Sequence, residues 1–167
     1  MAGQGKSTFA IQFANYLAEN FGEVIYISGE EGFSKTLKDK FRNNNAASEH
    51  LYLADLITYQ DILNEIKPNY FNFIFIDNLD NMRICAQELK ELRKLFINSA
   101  LITISQSTKD GKMRGSNEIV HDSDIAVAVS NGVAETIKNR FEEKGRQFRI
   151  FNSDNGKGLS FRNIILD

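Results

Sequence analysis

Three stretches of this chain, Val24-Ile25-Tyr26-Ile27, Phe71 to Ile76 and Leu101 to Ile104, are apolar at successive positions, with segments of helical spacing between them. A half-exposed strand alternates apolar and polar residues, whereas a strand without that alternation has to be covered on both faces. Strands of this kind separated by helices predict a parallel sheet with helices packed above and below it, since each crossover needs a connection that carries the chain back. An α/β layer fold is therefore the expectation before any chemistry is considered.

The helices follow from spacing and from capping residues. From Lys6 to about Asn20, Phe9, Phe13 and Leu17 fall on one stripe with Ala10 and Ala14 beside it, and Gly22 stands where a helix C-cap belongs. Phe33 to Phe41 reads as a short charged helix ended by Asn43-Asn44-Asn45, and His50 to Leu53 as a weak strand. Thr58, with Asp61 three residues on, has the form of a capping box, and Pro68 marks that helix's exit. A long helix is expected from about Met82 to Asn98, with Cys85, Leu89, Leu92 and Phe96 as its inner stripe.

Beyond Ser107 the pattern changes. Residues 107–123 are polar and glycine-containing, a loop by composition. Ile125 to Val129 and Ala134 to Ile137 then flank Asn131-Gly132, a strong hairpin signal. Phe148 to Phe151 and Leu159 to Ile165 surround a second turn at Asn155-Gly156, so antiparallel strands are expected to extend the sheet. The chain reads as one domain over 1–167: a parallel part over 1–106, the polar loop 107–123 and an antiparallel extension over 124–167.

Composition narrows the function classes. A net charge of −2 supplies no whole-surface field for nucleic acid or anionic lipid, so any DNA contact has to be local. A single cysteine, Cys85, excludes an intrachain disulfide and a multi-cysteine zinc site, and it reads as a helix core residue. His50 and His121 have no partners at metal-ligand spacing and read as structural or exposed. No apolar run approaches the roughly 18 residues of a membrane span. The expectation is a cytoplasmic protein with no membrane partner.

Chemistry enters at the first residues. Gly3-Gln4-Gly5-Lys6-Ser7-Thr8 ends the pattern G-x-x-x-x-G-K-[ST], and the helical stripe follows directly. Glycines let backbone amides close round phosphates, and the helix N-terminus adds the positive end of its dipole. In such a loop Ala2, Gly3, Gln4, Gly5 and Thr8 line the nucleotide. Lys6 reaches the β- and γ-phosphates and Ser7 ligates Mg2+. The pattern places its first glycine before Met1, and the strand that feeds the loop is expected outside these residues as well.

Phe73-Ile74-Phe75-Ile76-Asp77 is an apolar strand ending in an acid, the Walker B form whose carboxylate holds Mg2+, usually through water. Glu30 and Glu31 follow the second strand in Ser28-Gly29-Glu30-Glu31. Two roles stay open for them from spacing alone: orienting or deprotonating an attacking water, or starting the next helix as a solvated acidic pair.

The order of these segments, together with Ile102-Thr103-Ile104-Ser105-Gln106, resembles the RecA-like ATPases. Within them it is similar to the bacterial RadA/Sms DNA-repair group, with DnaB-type helicases and KaiC-like proteins as cousins. Thr108-Lys109-Asp110-Gly111 follows its strand as in the RadA group, and Lys138-Asn139-Arg140-Phe141 matches the start of that group's Lys-Asn-Arg-Phe-Gly motif, with Glu142 in place of the glycine.

The resemblance implies a three-layer RecA-like P-loop fold, a mostly parallel sheet with antiparallel C-terminal strands, and ATP and Mg2+ as ligands. It implies Glu30 as the catalytic glutamate with Glu31 its acidic neighbour, Asp77 in the magnesium role, and Gln106 as the γ-phosphate sensor where the RadA group commonly has His. Lys138 and Arg140 match residues that reach a neighbouring subunit's nucleotide in ring-forming relatives, which implies a homo-oligomer. Their residue-level alternative is an exposed, charged strand end. Lys109, Lys112 and Arg114 lie where RecA-like proteins contact DNA, and are equally readable as a solvated loop, offset by Asp110, Glu118, Asp122 and Asp124. The four-cysteine zinc element and protease-like domain of RadA proteins have no counterpart in these residues. The function expected is ATP hydrolysis coupled to DNA recombination, repair or unwinding; the alternative is a nucleotide-dependent assembly switch that hardly hydrolyses.

Overall fold

A computed structural model describes residues 5–29, 34–106 and 117–151. Helix α1 (Lys6–Asn20) leads into strand β1 (Val24–Ser28), α2 (Lys35–Asn43), β2 (Leu51–Ala54), α3 (Tyr59–Glu65) and β3 (Phe73–Asp77). Then come α4 (Leu79–Met82), α5 (Ala86–Leu95), β4 (Ala100–Ile104) and α6 (Asn117–Asp122), before the strands β5 (Ile125–Ser130), β6 (Val133–Asn139) and β7 (Gln147–Arg149). The first four strands form a parallel sheet in the order β2-β1-β3-β4. β4 is an edge strand of that sheet among the described residues.

Apolar residues on both faces of β1 and β3 produce two separate core layers. Ile25, Ile27, Ile74 and Ile76 pack with Ile62, Leu79, Leu89, Leu92 and Phe96 on one side. Val24, Tyr26 and Phe75 pack with Ala10, Ile11, Ala14 and Leu17 of α1 and with Leu37 and Phe41 of α2 on the other. Each fully buried Ile or Phe contributes roughly 1.5–3 kcal/mol relative to exposure, so this sheet carries much of the described core.

The capping box expected at Thr58 is present: its hydroxyl accepts from the Asp61 amide at 3.1 Å, and Asp61 accepts from the Thr58 amide at 2.9 Å. Ser34 caps α2 without a reciprocal bond, its hydroxyl accepting from the Leu37 amide, while Phe33, the expected start of that helix, lies outside the described residues. Gly22 closes α1 at φ 135°, where a Cβ would stand 2.3 Å from Asn72 Oδ1. That oxygen accepts from the Glu23 amide at 2.9 Å, so the turn tolerates only glycine.

Three expectations need correction. The helix expected from Met82 to Asn98 is shorter, Ala86–Leu95: Met82 ends α4, Arg83 turns the chain in the left-handed region, and Cys85 caps the start of α5. Cys85 is consequently the exposed N-cap of α5, with its amide donating to Glu88 Oε2 at 2.8 Å, and Ile84 fills the buried place instead. Leu89, Leu92 and Phe96 keep the buried stripe.

Of the stretch 107–123 expected as loop, Asn117–Asp122 form α6, and 107–116 lie outside the described residues. The described C-terminal strands, finally, form a three-stranded antiparallel sheet, β5-β6-β7, that among the described residues is separate from the parallel sheet rather than an extension of it. Its first hairpin turns at Asn131 (φ 50°) and Gly132 (φ 74°), the paired positive angles that suit an Asn-Gly turn. The stretch Leu159 to Ile165 lies outside the described residues.

Candidate functional site

The strand ends and the start of α1 meet at one edge of the parallel sheet. α1 ends at Asn20 and β1 begins at Val24, so the helix runs back against the strands, its first turn towards their C-terminal ends. The middle of the helix packs on the middle of the sheet, the Phe13 ring lying 6.0 Å from that of Phe75 in mid-β3. Gly5 is the N-cap of α1 at φ 98°, and no side chain caps the helix. Lys6, Ser7 and Thr8 form the first turn. An uncapped first turn presents backbone N–H groups and the dipole's positive end, the arrangement that binds phosphate.

Alternation along β3 puts Asp77 on the same face as Phe75, the face that α1 covers. Its carboxylate Oδ2 accepts from the Tyr26 hydroxyl at 2.6 Å. Its backbone carbonyl accepts from the Gly29 amide at 2.6 Å, which fixes the end of β1 against the end of β3. A Cβ on Gly29 would stand 2.3 Å from Met82 Cγ, so this close approach requires glycine. The Asp77–Asn78 peptide is cis. Asn78 is buried and caps α4 by accepting from the Asp80 amide at 3.1 Å. Asp80 in turn accepts from the Gln106 amide at 2.9 Å, tying the residue after β4 to the turn after β3.

The structure therefore brings Gly29, Asp77 and Gln106 to the same edge and adds two residues that sequence reasoning missed, Tyr26 and Asp80. Tyr26 was legible only as a hydrophobe with a polar tip inside a buried strand, and Asp80 only as an acid three residues beyond Asp77. Ala2, Gly3, Gln4, Glu30 and Glu31 lie outside the described residues, as do Lys109, Lys112 and Arg114.

Lys138 and Arg140 stand on and just beyond β6, engaged with their own chain. The Lys138 ammonium donates to the backbone carbonyls of Val120 (3.0 Å) and His121, a cation at the C-terminus of α6. The Arg140 guanidinium donates to Asp124 Oδ1 at 2.9 Å, and its amide donates to the Asp124 carbonyl at 3.1 Å. Lys90 of α5 joins the same group through Glu118 at 2.6 Å and Asp122 at 3.2 Å. Those bonds, Glu118's first, hold the Lys90 ammonium above its usual range.

Among the described residues no group of three or more His, Cys, Asp or Glu could hold a metal ion. Mg2+ needs no such cage: it keeps several waters and takes one or two hard oxygen ligands. The Ser7 hydroxyl and Asp77 carboxylate are donors of that kind, so the residues fit the ion. At the opposite end of the strands, Tyr52 packs with Tyr70 and Phe71, and the bond with Tyr70 together with Glu23 pushes its phenol up to about 12. No helix among the described residues is long and apolar enough to cross a membrane.

No protein-family model matches the chain. In sequence it is similar to DNA repair protein RadA of Campylobacter jejuni (24% identical over 160 residues, 83% of this chain and 35% of that protein) and of Helicobacter pylori (29% over 161 residues, 83% and 35%). RadA of Halalkalibacterium halodurans is 24% identical over 201 residues, covering 98% of this chain and 43% of that protein. The chain thus spans well under half the length of these relatives.

Among solved structures, a DnaB-like replicative helicase superposes with TM-score 0.67 at 16% identity, covering 95% of this chain and 56% of that one. A separately solved ATPase domain gives 0.66 at 17% identity, with 95% and 82% covered. The flagellar accessory protein FlaH from Methanocaldococcus jannaschii gives 0.65 at 12%, with 93% and 83% covered. The fold is that of the RecA-like ATPase domains.

Proposed function

We propose that this chain binds ATP with Mg2+ and hydrolyses it, as the nucleotide-binding core of a RecA-like ATPase serving DNA recombination, repair or unwinding. The observation that carries the reading is the setting of Asp77: an acid at the C-terminal end of β3, on the face covered by the helix whose first turn holds Lys6 and Ser7. The similarity to RadA proteins supports the DNA-linked output.

In this reading Lys6 and the amides of residues Ala2 to Thr8 bind the phosphates, while Ser7 and Asp77 hold Mg2+. Bound Mg2+ would neutralise charge on the β- and γ-phosphate oxygens. Glu30 stands one residue beyond Gly29, whose amide is fixed to Asp77, and takes a proton from the attacking water. Gln106, anchored through its backbone to Asp80, reports the γ-phosphate. Lys109, Lys112 and Arg114 contact DNA phosphates. Lys138 and Arg140 complete the site of a neighbouring copy in a homo-oligomer, and a cytoplasmic location goes with this work.

The bond of Arg140 to Asp124 and of Lys138 to α6 favours a second reading, an assembly switch, because cations held by their own chain leave a neighbour's site slow. Glu30→Gln separates the two. Hydrolysis predicts retained ATP binding and turnover reduced by about 10²–10⁴-fold. Unchanged turnover removes Glu30 from the base role, and a wild type that binds ATP without turnover, even with DNA and at assembling concentrations, establishes the switch.

A further inference from the structure

Tyr26 is fully buried in the middle of β1, yet it carries a hydroxyl. Its ring stacks on Phe75 at 5.7 Å and 16° and meets Phe41 edge-on at 5.3 Å, so apolar neighbours enclose the ring. Phenylalanine would fill that space equally well, and burying a phenol is unfavourable unless it finds an acceptor. The acceptor here is the Asp77 carboxylate, 51 residues away in sequence, at 2.6 Å. Register makes this possible: Tyr26 pairs with Phe75 and Ser28 with Asp77, so the phenol points along the sheet towards the strand end from one pair below.

We infer that Tyr26 is a positioning residue for Asp77, its hydroxyl holding the carboxylate in the rotamer that meets Mg2+ or its water. The inference rests on the ATP reading above. Two independent restraints act on the same residue: Gly29 fixes the Asp77 backbone and Tyr26 fixes its side chain. A short O–H···O⁻ bond is strong and directional, and partners that orient metal-binding carboxylates tune the affinity of the ion. Rigid aromatic packing of Tyr26 transmits that orientation from the core, so the acid does not depend on the nucleotide to place it.

The test uses the full chain and a fluorescent ATP analogue, titrated with Mg2+ and, separately, in excess chelator. Tyr26→Phe is expected to raise the Mg2+ concentration for half-maximal nucleotide binding about tenfold, with metal-free nucleotide affinity unchanged. In an Asp77→Asn background the same substitution is expected to add nothing further. An unchanged Mg2+ requirement in folded Tyr26→Phe overturns the inference while leaving the ATP reading intact. Absence of nucleotide binding by the wild type overturns the ATP reading and this inference with it. If Tyr26→Phe does not fold, the ring NMR signal of isotope-labelled Tyr26 decides: a shift on adding Mg2+ to nucleotide-bound wild type that Asp77→Asn abolishes supports the role, and a signal indifferent to Mg2+ overturns it.

Discussion

The Asp80 carboxylate accepts a hydrogen bond from the Gln106 backbone amide at 2.9 Å, so the turn after β3 holds the chain where it leaves β4. Gln106 is the residue proposed above to sense the γ-phosphate, and this bond anchors its backbone. Asp80→Ala is expected to cost about 1.5–3 kcal/mol, as for other hydrogen bonds to charged groups, and to lower turnover more than nucleotide affinity. Denaturant unfolding and steady-state kinetics measure the two effects. Asp80→Asn keeps an acceptor and is expected to recover most of both; equal losses in the two variants would mean that the charge, not the bond, matters.

Gly22 predicts a sharper effect on stability alone. Its backbone is at φ 135° and an added Cβ meets Asn72 Oδ1 at 2.3 Å. Gly22→Ala therefore combines an unfavourable backbone angle with a clash that displaces the Glu23 amide's partner. The expected cost is at least about 2 kcal/mol. Gly145→Ala is the comparison, with φ 91° and nothing within 4 Å of the new Cβ, and should cost only about 1 kcal/mol. Equal shifts in denaturation midpoint for the two would remove the role assigned to Asn72.

Much of this was legible because it is local. β1, β3 and β4 could be read from unbroken apolar runs, α3 from Thr58 and Asp61, and the β5–β6 turn from Asn131-Gly132. Cys85 was misleading because its spacing to Leu89, Leu92 and Phe96 suits a helix stripe. Arg83 in the left-handed region breaks the helix before that stripe begins. The bonds Tyr26–Asp77 and Asp80–Gln106 each join residues of different strands or turns. They depend on register between strands, which no pattern within one segment contains.

The charged contact between α5 and α6 predicts a pH window. Asp122 is held below the usual carboxylate value of 3.8, first by its bond with His121 and then by Lys90, while Lys90 is held above 10.5. A depressed acid adds stability that is present above its unfolded value and lost as pH falls through the folded one. A raised amine adds stability that is present below its unfolded value and lost as pH rises through the folded one. The contact should therefore be tightest between 3.8 and 10.5 and loosen on either side. Its groups are half-buried or exposed, so molar salt should loosen it too. Amide exchange in α6, corrected for intrinsic rates, reports it; protection independent of salt would assign α6 docking to Ile119, which packs against the core.

Arg140 tests whether the antiparallel sheet serves a neighbouring copy's site. Asp124 holds it through both side chain and backbone, and Arg93 approaches the same carboxylate at 3.9 Å. If Arg140 acts on a neighbour's nucleotide, it has to exchange Asp124 for a γ-phosphate, and Asp124 is then a holder that keeps the guanidinium extended until assembly. Arg140→Ala should leave nucleotide affinity of the dilute chain unchanged and lower turnover at assembling concentrations by about 10³-fold or more. Asp124→Ala should keep that turnover, since it frees the cation instead of removing it, and Arg93 loses only a long contact. Mixing Arg140→Ala with Lys6→Ala chains then sets the geometry: activity restored at mixed interfaces requires that one copy supply the cation and the other the phosphate loop. Turnover in Arg140→Ala equal to wild type would confine Arg140 to its pairing with Asp124.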